Sequence, residues 1–210
     1  MKSQINNLAS QRLVWLDALK GIGILLIMAC HAGLLPRVSI FLTAGYVSIF
    51  FVASGFTYKS KQTFSSEIGK RSKRLLLPYF FYVSLSIILM NIFQIKGDFI
   101  HQVLGMIYSR YSLYFGIKDV GDVSLLTQTC NSPTWFLTAL FTSLMVMYII
   151  KSLKWQWVVI TCLGLSVLTL YLPFLLPWSL DTAFVGALFI YLGKKIRGRP
   201  SENLIREANN

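Results

Sequence analysis

Apolar residues come in six long runs along this chain, parted by shorter polar connections, and runs of that length predict helices. They cover residues 15–35, 39–58, 75–95, 133–150, 155–172 and 178–194. Runs of about 20 apolar residues are what a helix needs to cross a bilayer. Proline marks several of the edges. Pro36 closes the first run, Pro133 opens the fourth, and Pro173 and Pro177 follow the fifth. Pro78 falls in the predicted first turn of the third run, where a missing N–H costs nothing. The segment from Lys96 to Asn131 differs in kind, mixing apolar and polar residues without a charge-free run long enough to span. Its first half reads as an amphipathic helix lying in the membrane interface, and the remainder as loop. Residues 1–14 form a polar tail, and the hydrophilic residues from Lys195 onward read as disordered.

The predicted architecture is therefore an all-α integral membrane protein. About six transmembrane helices form a bundle over residues 1–195 with one interfacial amphipathic segment, and residues 196–210 form a hydrophilic tail. Composition agrees. The chain is 55% hydrophobic and 13% charged, against the roughly 25% charged residues of soluble domains. Its net charge of +12 does not point to nucleic acid, because the cations sit in short connections between apolar runs. Six spans put both termini on one side, and 16 of the 20 Lys and Arg fall on that side. The positive-inside rule makes that side cytoplasmic, as for a cell inner-membrane protein. Three scattered cysteines and two distant histidines argue against a disulfide framework or a metal site. The polar start, with no small-residue site after the first run, argues against a cleavable signal.

Candidate chemistry begins in RLVWLDALKGIGILLIMACH, Arg12 to His31. An ionisable group at membrane depth is expensive, so His31 is a functional candidate facing the protein interior; the plainer alternative is a histidine satisfied by a neighbouring helix. Lys20 lies on nearly the same helix face, but eleven residues put it roughly 16 Å from His31 along the axis. Reading depth from the helix ends sorts the remaining polar residues into two layers. Thr43, Tyr46, Trp135 and Asp181 belong with His31 at the outer level, whereas Ser54, Gly55, Arg71 and Arg74 belong with Lys20 at the inner one. The inner cations suit a phosphorylated ligand arriving from the cytoplasm. A topology signal or an anionic-lipid contact explains KRSKR equally well on its own, and Ser54-Gly55 also reads as helix packing. Asp17, about 21 Å from His31 along the axis, is too far to orient it, which leaves Asp181 or Tyr46 as depth-matched partners.

In their order these stretches resemble the acyltransferase family 3 of integral membrane O-acyltransferases, in the branch similar to fucose 4-O-acetylases. The first-run motif with Lys20 and His31, YVSIFFVASGFTYK, KRSKRLLLPYF, NSPTWFLTALF and LPWSLDTAFVGALFIYLG carry the resemblance over most of residues 12–195. It implies transfer of an acyl group, acetyl from acetyl-CoA first of all, to a hydroxyl of a saccharide or glycolipid. His31 would be the general base, with Asp181 and Tyr46 beside it. Lys20, Ser54, Arg71, Arg74 and Trp135 would bind substrate. Lys20 stands where many members carry Arg, keeping the charge without the bidentate geometry. Members usually have more spans than six, so a shortened member is expected. Two rivals are a proton-coupled transporter-like module and a non-catalytic membrane assembly partner.

Overall fold

The computed structural model describes residues 14–33, 39–59, 63–94, 98–110 and 134–208, and in them the chain is all-helical. Residues 1–13 of the polar amino-terminal tail and residues 111–133, which hold most of the predicted loop, lie outside the described residues. The first helices are α1, Val14–His31, and α2, Ser39–Phe56. They run antiparallel. The Trp15 ring meets Phe56 edge-on at 5.2 Å, and a Cβ on Gly23 would come within 2.8 Å of Phe50.

The next helix, α3, corrects the predicted loop of Lys59 to Arg74 and the predicted third span. It runs continuously over Phe64–Ile92, so the cations from Lys70 to Arg74 sit on helix. Glu, Lys and Arg are good helix formers, and charge alone does not end a helix. Pro78 thereby falls inside a helix rather than at its start, where its ring would crowd the carbonyl of Arg74. The backbone relieves this by widening to a π-turn over Ser72–Leu76, in which the Leu77 amide reaches back to the Ser72 carbonyl. Among the described residues α3 is the helix long and apolar enough to cross a membrane, and much of its apolar surface (Phe81, Leu85, Ile88, Ile92) is exposed.

The amphipathic helix is α4, Phe99–Tyr108, capped by the Asp98 carboxylate on the Ile100 amide. It packs on α3, where the Tyr79 hydroxyl donates to the Met106 carbonyl at 2.7 Å. The last three helices are α5, Trp135–Ile150; α6, Trp155–Thr169; and α7, Leu180–Ala208, preceded by a 3₁₀ turn at Pro177–Ser179. The tail after Lys195, expected to be disordered, continues α7 instead, and Arg197 Nη1 donates to the Phe56 carbonyl at 2.8 Å. A cation on the last carbonyls of α2 satisfies groups that its own helix cannot.

The bundle is organised around α7, which packs against α2, α5 and α6. Close approach to α2 depends on two glycines. A Cβ on Gly55 would overlap the backbone of Ile190, and one on Gly193 would overlap the carbonyl of Val52. Small residues at helix crossings let backbones meet where apolar side chains gain little by leaving lipid. Around this crossing Phe51, Leu144, Met147, Val158 and Ile190 form the buried core.

Candidate functional site

The pairing of α1 with α2 fixes relative depths. Trp15 opposite Phe56 and Gly23 opposite Phe50 set Lys20 level with Val52, within a turn of Ser54. The same register sets Tyr46 level with Leu26, about 7 Å inward of His31. Tyr46 is therefore further from the depth of His31 than expected, because Ser39 at the start of α2 stands level with Gly33, inward of the expected end of the first run. His31 closes α1, and its side chain lies outside the described ones. Helix α7 runs parallel to α2, with Gly186 against Phe51 and Ile190 against Gly55, which puts Asp181 level with Tyr46. Tyr46 is buried at 4% exposure.

At the inner level a cavity of about 580 Å³ opens between α2, the π-turn of α3, and α5. Ser54, Arg71 and Arg74 all line it, joined by Lys59, Lys70 and Lys73. Five cations against Glu67 leave it with four net positive charges. Lys20 is half-buried and is not among its described lining residues. Buried Glu67 accepts from Arg71 Nε at 2.9 Å, and the Arg71 guanidinium also lies 5.1 Å from the centre of the Tyr58 ring. Arg71 is thus fixed by protein contacts, while four other cations share the cavity wall with no second acid among them.

At the outer level a second cavity, of about 390 Å³, lies between α2, α6 and α7. Trp135 and Asp181 line it together with apolar Val47, Phe51, Leu170, Val185 and Phe189, and Ser48, Ser166, Thr169 and Thr182 add hydroxyls. Val47, Phe51 and Ser54 follow one stripe of α2, with Tyr58 just past its end, so the two cavities follow one another along that face.

Asp181 has a partner that sequence reading missed. Arg110, counted there only among the four cations of the outer face, is buried, and its Nη2 donates to Asp181 Oδ1. Arg110 Nε also donates to the Leu176 carbonyl at 3.2 Å. Two more bonds tie α4 to the same segment, Tyr108 Oη to the Leu175 carbonyl at 2.6 Å and Trp178 Nε1 to the Ile107 carbonyl at 2.8 Å. Burial pushes the Tyr108 phenol above its ordinary range, against the pull of Arg110, so it stays a donor. Trp178 holds a left-handed backbone (φ 53°), unusual for so bulky a residue. Phe80 and Phe141 hold its ring edge-on, and Thr142 Oγ1 donates to its carbonyl at 3.0 Å. Ser109, also left-handed at φ 58°, pairs its hydroxyl with Thr138 Oγ1 at 2.6 Å, turning Arg110 inward. Among the described residues no three His, Cys, Asp or Glu side chains converge as metal ligands do.

Among the described residues, fold and cavities together define an all-helical protein with two open cavities of different character, one cationic and one largely apolar. Residues 13–201 match the family described as an acyltransferase domain, and the chain belongs to acyltransferase family 3, a family of membrane-embedded proteins. The comparisons with curated proteins and with solved structures found no match.

Proposed function

We propose that this protein is a membrane-bound O-acyltransferase that moves an acyl group from acyl-CoA to a hydroxyl of a saccharide or glycolipid. The cationic cavity carries the reading. Four net positive charges held between helices, in an acyltransferase family member, suit a donor whose phosphates need charge-assisted partners. Acetyl-CoA is the donor that the resemblance implies. Lys20 and Ser54 sit at the same level as the phosphate-holding group. Trp135 lines the outer cavity and would contact the acyl or acceptor end.

In this scheme neutral His31 accepts the proton of the acceptor hydroxyl as its oxygen attacks the thioester carbonyl. The C–O bond forms, the C–S bond breaks, and the proton passes from imidazolium to the departing thiolate, giving free CoA. Asp181, held in place by Arg110, and Tyr46 would set the charge and hydrogen bonding on the inward side of that histidine. A proton relay through His31 and Asp181 fits less well, because Arg110 already occupies the Asp181 carboxylate.

The six-span bundle, with both termini cytoplasmic at the inner membrane, belongs to the same proposal. It is supported by the 16-to-4 distribution of cations and by exposed apolar residues along α3 and α6 such as Phe81, Leu85, Ile160 and Leu163. Equilibrium binding of CoA to the purified protein in detergent, at fixed salt, tests the donor site. Arg74→Ala is expected to weaken CoA by about 1.5–3 kcal/mol, the worth of a hydrogen bond to a charged group, and so is Arg71→Ala in a Glu67→Gln background, which avoids stranding the buried Glu67 carboxylate. Unchanged affinity in both variants would reduce the cluster to a topology signal or an anionic-lipid contact.

A further inference from the structure

Glu67, Arg71, Leu75, Tyr79, Val83 and Ile87 recur every fourth residue along α3. A continuous α-helix turns about 100° per residue, so each step of four drifts by about 40°. From Glu67 to Tyr79 the drift would reach about 120°, and Lys70 would point about 180° away from Tyr79. Yet Glu67 and Tyr79 are both buried, and Glu67, Lys70 and Arg71 all line the cationic cavity. The π-turn over Ser72–Leu76 resolves the conflict. It takes one extra residue into a single turn, which sets everything ahead of it back by about 100°. Glu67 and Arg71 then fall within about 20° of the Tyr79 direction, and Lys70 comes to about 80° from it. The same turn carries Lys73 and Arg74, which also line the cavity.

Pro78 is the cause of the turn. Without an N–H it cannot donate to the Arg74 carbonyl, and its ring would strike that carbonyl in a regular helix. Pro78 itself is not among the described lining residues of the cavity. We infer that Pro78 is a positioning residue of the cationic cavity, turning the foot of α3 through the π-turn so that Glu67, Lys70 and Arg71 face α2 and α5. The ligand rests on the acyl-CoA reading above, and what is added is the residue that shapes its site.

Pro78→Ala restores an amide that can donate to the Arg74 carbonyl, and it lets α3 close as a continuous α-helix. For the purified protein in detergent at fixed salt, this variant should bind CoA about ten- to a hundredfold more weakly, the loss of a charge-assisted contact. Deleting Ser72 as well removes the extra residue. A continuous helix then turns Glu67 and Arg71 inward again, and most of the lost affinity should return. A thiol introduced by Glu67→Cys reports the rotation without any ligand. It should resist a maleimide in the parent, react in the Pro78→Ala background, and resist again once Ser72 is deleted, as read on that peptide by mass spectrometry. CoA affinity unaffected by Pro78→Ala overturns the proposal, as does a loss that the Ser72 deletion leaves unrepaired, since damage unrelated to the turn would not be mended by it. The expected labelling in a parent that binds no CoA keeps the rotation and overturns the donor reading alone.

Discussion

Replacing Arg110 by methionine strands a carboxylate. Arg110 and Asp181 expose 9% and 5% of their side chains, so neither charge has much water to fall back on. Removing one member of such a buried pair costs about 3–5 kcal/mol, most of it the penalty of the charge left behind. The Nε contact to the Leu176 carbonyl goes as well, for about another 0.5–1.5 kcal/mol. Asp181→Leu should cost as much from the other side, since it leaves the guanidinium alone. The double variant Arg110→Met, Asp181→Leu removes both charges and should lie near the parent, or above it by up to about 1–4 kcal/mol. The prediction is thus strong non-additivity, two damaging single changes that largely cancel when combined. Thermal unfolding in detergent reads it. At about 2–4 °C per kcal/mol for a chain of this size, each single variant should lose on the order of 10 °C. Two small effects that simply add would show that the pair is hydrated and that α4 is not fastened to the start of α7 through it.

Two further outcomes follow from the packing and from the proposed chemistry. Gly55→Ala forces a methyl into the Ile190 backbone and should cost about 1–3 kcal/mol of stability, whereas Gly164→Ala in α6, with open space around it, should be neutral or better by unfolding in the same detergent. His31→Gln should lower acyl transfer by about 10²–10⁴-fold at matched membrane abundance while CoA affinity holds, because the base and the phosphate site lie about three turns apart; near-normal turnover would make His31 a packing residue.

Apolar runs were legible because burial and lipid exposure both demand apolar side chains, so each of the six runs corresponds to a helix. What hydropathy cannot see is a helix made of charged residues. The stretch from Phe64 to Arg74 looks like a loop by its cations, yet it continues into α3 because Glu67 and Arg71, four apart, pair on one face. The same blindness hid the continuation of α7 past Lys195, where Arg197 is held by the end of α2. Pro78 misled in the other direction. Proline at a helix start is the common case, and only the geometry of the π-turn shows how one is absorbed within a helix.

The two polar layers were legible for a related reason. A helix converts sequence position into depth at a fixed rise, so Ser54, Arg71 and Arg74 meet at one level, and Trp135 and Asp181 at another. Depth does not say which group faces which, and there the reading stopped short. Arg110 was only counted among the cations of the outer face, because a topology count does not ask what a cation touches. Yet from Phe99 to Ile117 it is the only Lys, Arg, Asp or Glu, and between Lys154 and Lys194 Asp181 is the only one. Two solitary opposite charges, each in an apolar neighbourhood and each assigned to the outer level, have one inexpensive resolution, which is each other. That signal was present in the sequence, and it differs from the signal in KRSKR. A run of like charges finds its partner in water, lipid headgroups or a phosphorylated ligand. An isolated charge among apolar residues must find it within the protein, so Arg110 fastens the structure while Lys70, Lys73 and Arg74 at the foot of α3 are left to bind.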